Sequence, residues 1–264
     1  DFIMTQTIDF VKSTEQPFFL NYAPYAVHTP IHPVDALRYK YTNKPASNGQ
    51  DNIGYATMIE NLDRNIGLLM NSLRESGMIE NTFIVFTSDN GGLSTQKRIA
   101  PTSVFPLRAG KGWLYEGGVR IPQLIKPPNH SQNIKIDEAT VSYDLFPTIL
   151  DYAGLSSDEV IDGKSLMPIF KEGLKLDRED VFWHFPHYHG SLWKPGASIR
   201  SGDWKLVKHF ESNQLELFDL SKDLGEMNDL SSKYPDKTQD LHNRLLNLQQ
   251  ETNANTVSIN KNFK

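Results

Sequence analysis

Cysteine is absent from the 264 residues. That excludes disulfides, thiolate metal sites and cysteine nucleophiles within this stretch, and it fixes no compartment. Long apolar runs are missing as well. No segment approaches the roughly 18–20 residues of a membrane span, and Asp1-Phe-Ile-Met-Thr-Gln6 lacks the pattern of a secretory signal. No basic run exists either, and the formal charge is -5 at pH 7 with a pI near 5.9. Such a chain has little with which to neutralise phosphates, so nucleic acid is not an expected partner. There is no internal repeat and no start methionine; the chain reads as a portion of a longer protein. What is present, 38% hydrophobic, 22% charged and 11% aromatic residues, describes a globular protein able to bury a full core.

The richest stretch is Thr82-Phe-Ile-Val-Phe-Thr-Ser-Asp89-Asn90-Gly91-Gly92. Its apolar run is mostly β-branched or aromatic and does not alternate with charge, the pattern of a strand buried on both faces of a parallel sheet. Ligand crevices in α/β sheets lie outside the carboxyl ends of strands, and the glycines let the backbone turn away there. Asp89 and Asn90 then offer adjacent hard oxygen ligands, suited to Ca²⁺ or Mg²⁺. The same four residues also form an ordinary turn sequence.

In chain order, residues 3–12 read as a helix, and Pro17-Phe-Phe-Leu-Asn-Tyr-Ala23 as a second buried strand. That strand leads into a loop in which Pro24 and Pro30 flank His28. Met58, Ile59, Leu62, Ile66, Leu69 and Leu73 recur at helical spacing after Asp51 or Asn52 as cap and before Gly77 as stop, with Glu60 and Asp63 on the solvent side. The segment Pro106–Arg120 carries Gly110, Gly112, Gly117 and Gly118 among Arg108, Lys111, Glu116 and Arg120. This suits backbone that approaches an anionic ligand, or equally a glycine-rich hairpin with scattered charge. It is no P-loop, since Gly-x-x-x-x-Gly-Lys-Ser/Thr is missing. Gln123–Lys126 suggests a strand, and Val141–Ala153 a helix closed by Gly154.

From about Asp177 short aromatic strands alternate with turns, over residues 181–185, 198–200, 204–209 and 215–220. These imply an antiparallel sheet, followed by an amphipathic helix over 235–251. The histidines His184, His187, His189 and His209 match no zinc spacing.

Four stretches in this order resemble the formylglycine-dependent sulfatases of the alkaline-phosphatase superfamily. They are Pro17-Phe-Phe-Leu with Ala26-Val-His28-Thr-Pro30; Phe86-Thr-Ser-Asp89-Asn90-Gly-Gly; Leu107-Arg-Ala-Gly-Lys111-Gly with Tyr115-Glu-Gly-Gly-Val-Arg120-Ile-Pro; and Tyr143-Asp-Leu-Phe-Pro-Thr-Ile-Leu with Ala153-Gly154. Ile199-Arg-Ser-Gly-Asp-Trp-Lys205-Leu-Val and Glu216-Leu-Phe-Asp219-Leu complete the likeness.

The resemblance implies an α/β fold, with a sulfatase-like sheet flanked by helices over 1–176 and a small C-terminal subdomain of antiparallel strands and one helix over 177–264. It implies hydrolysis of a sulfuric ester, with a sulfated small molecule or glycan as partner and a periplasmic or secreted location. Asp89 and Asn90 match two ligands of a single calcium, Lys111 the lysine on a sulfate oxygen, and His28 the histidine near the leaving group. Arg108 and His184 are expected to bind substrate.

Cys/Ser-x-Pro-x-Arg, the source of the formylglycine nucleophile, is not present. Ser103-Val-Phe-Pro106-Leu-Arg108 has one residue too many. The acidic pair that supplies the other calcium ligands is missing too. The chain is therefore expected to be the C-terminal part of such an enzyme, its N-terminal half lying upstream. A phosphomonoester or phosphodiester hydrolase of the same superfamily is the alternative, although such enzymes commonly place histidine where Asn90 stands; a non-catalytic fragment is another.

Overall fold

The computed structural model describes residues 2–15, 17–95, 100–129, 133–173, 175–258 and 260. The fold is α/β with antiparallel sheets, and the chain divides into two compact units. The first comprises residues 1–87, 92–105 and 122–131; the second comprises 88–91, 106–121 and 132–264. None of the helices is long and apolar enough to cross a membrane among the described residues.

In the first unit, helix α1 (Phe2–Ser13) packs through Met4, Thr7 and Val11 against α2 (Ile53–Glu75). The ends of α2 follow from its sequence. Asn52 caps the start by accepting the Tyr55 N–H at 3.0 Å, and Gly77, at φ +69°, ends it while the Met78 N–H reaches back to the Leu73 carbonyl. Of the expected apolar face only Met58 and Leu73 are buried, and Ile59 is exposed. Glu60 is not solvated as its helix position suggests. It pairs with Lys40 and accepts the Tyr41 hydroxyl at 2.8 Å, contacts made by a segment distant in sequence, which helical periodicity cannot register.

Strand β1 (Ile84–Thr87) forms where the apolar run predicts it. Its partner is β2 (Gln123–Lys126), and the pairing is antiparallel, with Phe86 opposite Leu124. This corrects the reading of a strand buried on both faces of a parallel sheet: Phe86 is 40% exposed and Leu124 65%. Among the described residues β1 has one ladder partner; Ile84 and Val85 are half-buried and Phe86 and Thr87 exposed. Pro17–Ala23 is likewise not a strand. The segment is extended, but no described residue pairs with it, and Phe19 is exposed; without a ladder partner an apolar run gains no strand hydrogen bonds.

In the second unit α3 (Glu116–Val119) is a single turn, α4 (Leu145–Ala153) ends at Gly154 with φ +69°, and α5 (Met167–Glu172) follows. Asp144, before α4, is fully buried; Arg178 grips both its oxygens, while the Val141 and Lys164 N–H groups donate to them at 2.9 Å. Burial alone would raise this carboxyl, but the Arg178 guanidinium and these donors hold it below its ordinary value.

Strands β3 (Asp180–Phe185), β4 (Gly196–Ser201), β5 (Trp204–His209) and β6 (Leu215–Asp219) then form an antiparallel meander in chain order. Alternation gives it two faces. Ala197, Ile199, Leu206 and Leu217 pack against Leu241 and Leu245 of α6 (Pro235–Glu251). Trp183, Phe185, Val207 and Phe218 belong to the opposite cluster, built with Leu114, Tyr115 and Trp193. That second cluster is where the sheet holds the glycine-rich segment 106–120.

Candidate functional site

The turn after β1 is anchored within the second unit. The Ser88 hydroxyl donates to the Asn90 carbonyl at 3.0 Å, and the Asn90 amide donates to Asp89 Oδ2. The Gly91 N–H then donates to the Gly118 carbonyl at 2.9 Å. A Cβ on Gly91 would stand 1.8 Å from the Gly117 carbonyl oxygen, a backbone atom, so the approach is open to glycine alone. The Asp89–Asn90 pair is thereby tied to the segment that carries Lys111.

That segment is folded on itself. The Trp113 N–H donates to the Gly110 carbonyl at 3.0 Å, closing a turn around Lys111, and the Gly117 N–H donates to the Arg108 carbonyl at 3.0 Å. Lys111 is half-buried at the tip of this turn. Arg108, expected to bind substrate, spends its guanidinium on the surrounding structure. It stacks 3.8 Å from the centre of the Tyr115 ring, donates to the Glu226 carbonyl at 2.9 Å and lies 3.6 Å from Glu216 Oε1. Tyr115 donates its hydroxyl to Glu216 Oε2, which His209 Nε2 also reaches at 2.8 Å. Burial, reinforced by Glu216, pushes the Tyr115 phenol up. Burial would raise Glu216 too, but His209, Tyr115 and Arg108 outweigh it and lower the carboxyl.

Beneath the turn lies a charged cluster with no exposure to water. Lys205 on β5 is fully buried, with its ammonium 2.9 Å from Glu116 Oε1 and 2.9 Å from Glu226 Oε1. Glu226 Oε2 accepts the Glu116 N–H, and Arg120 pairs with Glu116 at 3.2 Å. The two carboxyls diverge. Burial raises Glu226 despite Lys205, whereas at Glu116 the same burial is outweighed by Lys205 and the nearby arginines, and the carboxyl is lowered.

These residues were not singled out from sequence. Lys205 carried one partial signal: it shares a strand face with Val207, although Trp204 and Leu206 make the opposite face as apolar. Glu226 sits in an irregular segment, at φ +52°, and carried none.

His28 lies in the first unit, exposed, with Nδ1 2.6 Å from the Thr29 carbonyl. A carbonyl only accepts, so the proton of the neutral ring sits on Nδ1.

His184 is not brought to the Lys111 turn. On β3 it alternates with Trp183 and Phe185, and so projects to the face that packs on α6. There Gln249 Nε2 lies 2.8 Å from Nδ1 and the Asn255 carbonyl lies 2.7 Å from Nε2. Both ring nitrogens are engaged by the C-terminal segment. The two-residue period of the strand sets this direction, which residue type and spacing in the sequence do not show.

No group of three or more His, Cys, Asp or Glu able to hold a metal occurs among the described residues. Asp89 and Asn90 do fit part of a shell for a hard cation, which takes six to eight oxygens. One carboxylate and one carboxamide oxygen, adjacent on a turn pinned by Gly91, supply some of these and not the rest.

Comparison with known proteins gives a consistent result. A family model described as Sulfatase matches residues 1–155, and one described as N-sulphoglucosamine sulphohydrolase, C-terminal, matches residues 109–251. A sulfatase from Formosa agariphila is 34% identical over 246 residues, covering 85% of this chain and 44% of that protein. N-acetylgalactosamine-6-sulfatase of Homo sapiens is 33% identical over 186 residues, covering 69% of this chain and 34% of that protein. The crystal structure of Ps i-CgsB in complex with k-i-k-neocarrahexaose superimposes with a TM-score of 0.80 at 29% identity, covering 94% of this chain and 54% of that one. The chain thus spans less than half the length of these curated relatives.

Proposed function

The chain belongs to the sulfatase family, and from that premise we propose that it is the C-terminal part of a sulfuric ester hydrolase acting on a sulfated carbohydrate. The observation that carries this reading is the Gly91–Gly118 and Gly117–Arg108 hydrogen bonding, which ties the Asp89–Asn90 turn and the Lys111 turn into one piece. In this reading residues 1–176 belong to the large α/β domain and 177–264 form its C-terminal subdomain. An upstream half supplies the formylglycine nucleophile and the remaining metal ligands. It also covers the exposed apolar sides of β1 and β2 and pairs with Pro17–Ala23. The whole protein is periplasmic or secreted.

The chemistry follows from the residue types. Asp89 and Asn90 would hold a calcium ion, which when bound supplies positive charge to a sulfuryl oxygen. Lys111 adds an ammonium to another sulfuryl oxygen, an interaction that strengthens as charge shifts during cleavage of the S–O bond. His28, whose Nδ1 proton is held by the Thr29 carbonyl, takes the role the resemblance gives it: in its doubly protonated form it passes the Nε2 proton to the alcohol oxygen as the S–O bond breaks, and is left as the neutral ring. Arg108 and Glu226 keep the loop in place.

Calcium dependence tests the metal assignment. The full-length gene product is expected to hydrolyse an aryl sulfate, to lose that activity on exhaustive chelation and to regain it with calcium. Asp89→Asn should raise the calcium concentration needed for half-restoration by about tenfold or more, in line with losing one charge-assisted ligand. Full activity after chelation, or a calcium requirement unchanged in Asp89→Asn, would remove Asp89 from the metal site.

A further inference from the structure

We infer that His189, on the loop between β3 and β4, is the histidine by which this subdomain meets the sugar, donating a hydrogen bond from Nε2 to an oxygen of the substrate's alcohol portion. The inference rests on the sulfatase reading and deepens it. Three observations place the residue. First, the His189 ring lies against the backbone of the residue next to Lys111: a Cβ on Gly112 would stand 2.1 Å from His189 Nδ1, and Gly112 adopts φ +81°. Glycine at 112 is what lets the imidazole come so close to the Lys111 turn.

Second, the loop that carries His189 is fastened to that turn. The Trp113 indole N–H donates to the Ser191 carbonyl at 2.7 Å, and the Trp113 and Trp193 rings meet edge-on at 5.5 Å. The loop closes on itself as well, with the His189 N–H donating to the Trp193 carbonyl at 3.1 Å and the Leu192 N–H to the His189 carbonyl at 3.0 Å.

Third, the tautomer is set. The Ser191 backbone N–H, which can only donate, points at Nδ1 from 3.2 Å, and the buried Ser191 hydroxyl lies 2.7 Å from the same nitrogen. Nδ1 is therefore an acceptor, and the proton of the neutral ring is on Nε2. That N–H is a donor with no partner among the described residues, on a half-buried ring.

The neutral N–H suits a hydroxyl or ring oxygen, which needs a directed donor and no charge. Lys111 already supplies charge for the sulfate. His184 cannot share this task from the opposite face of the sheet, whereas His189 lies beyond β3, where the strand's alternation no longer constrains it.

The test is made on the full-length protein with His189→Ala and His189→Gln, since a glutamine amide can restore a donor near the Nε2 position. Each is assayed on an aryl sulfate and on galactose 6-sulfate, N-acetylgalactosamine 6-sulfate and neocarrageenan oligosaccharides. His189→Ala should lower kcat/KM about tenfold on a saccharide that the wild type cleaves, the scale of one neutral hydrogen bond, with aryl sulfate turnover within about threefold. His189→Gln should recover most of the loss.

Equal losses on the aryl sulfate and the saccharides would overturn the inference by placing His189 among the reacting groups. Unchanged saccharide turnover in His189→Ala, failure of glutamine to restore any of it, or a wild type that cleaves the aryl sulfate and no saccharide would overturn it as well. A wild type that cleaves neither substrate class overturns the sulfatase reading itself. Should His189→Ala fail to fold, His189→Leu, which keeps bulk without a donor, takes its place: a loss confined to the saccharides and recovered in His189→Gln supports the donor role, and no loss or an equal loss on both substrate classes contradicts it.

Discussion

Lys205→Ala unfolds the second unit at markedly lower denaturant, with an expected loss of about 3–5 kcal/mol, the scale of removing one partner from a buried ion pair. The magnitude follows from what is left behind. Lys205 is fully buried between Glu116 and Glu226, and without its ammonium two carboxyls share a dry pocket with no adjacent cation bridging them. Alanine also leaves the volume of the lysine stem empty.

Tryptophan fluorescence reads the transition cleanly. All four tryptophans, Trp113, Trp183, Trp193 and Trp204, lie in the second unit. Glu226→Gln should cost less in the Lys205→Ala background than in the wild type, because a carboxyl already raised by burial goes neutral once its cation is gone. The two losses are therefore sub-additive. A loss under about 1 kcal/mol for Lys205→Ala, against the several expected, would mean that the cluster does not hold the Lys111 segment on the sheet.

Lys111→Ala in the full-length protein is expected to lower turnover on the order of 100-fold or more, the usual cost of deleting one group that meets transition-state charge. The loss should fall on kcat and kcat/KM together, as for an interaction made in the transition state. It should be the same for aryl and sugar sulfates, since every substrate carries the sulfuryl group. Near-normal turnover on both substrate classes would take Lys111 out of the site. This outcome is separable from the His189 result, in which only sugar substrates suffer.

Much of this architecture was legible before any coordinates. The C-terminal meander announced itself through alternating aromatic strands and glycine turns, and the strands fall within two residues of their expected ends. The caps of α2 were readable for the same reason, since Asn52 and Gly77 act locally. What failed was whatever depended on a neighbour. The apolar run at Thr82–Ser88 records the burial its side chains are suited to, and cannot say that among the described residues its ladder partner is β2 or that the pairing is antiparallel.

At the site, Asp89, Asn90 and Lys111 stood out because glycines and charges cluster around them in sequence. The tie that joins them, Gly91 against Gly117 and Gly118, is a long-range approach that no local pattern encodes. His184 drew attention through the company of other histidines, and the two-residue period of β3 turns it to α6. His189 was visible in the same motif, and only the backbone of Gly112 distinguishes it. Glu116, Lys205 and Glu226 come from three separate segments, so their meeting is purely a property of the fold.

The most direct test of the account is a side-by-side measurement of kcat/KM for an aryl sulfate and the matching aryl phosphate, made on the full-length protein with calcium present. The sulfate ester is expected to be clearly the better substrate, because one lysine and one cation held by an aspartate and an asparagine suit the single negative charge of a sulfate monoester. A phosphate ester cleaved as fast or faster, or an upstream sequence without Cys/Ser-x-Pro-x-Arg to provide the nucleophile, would contradict it.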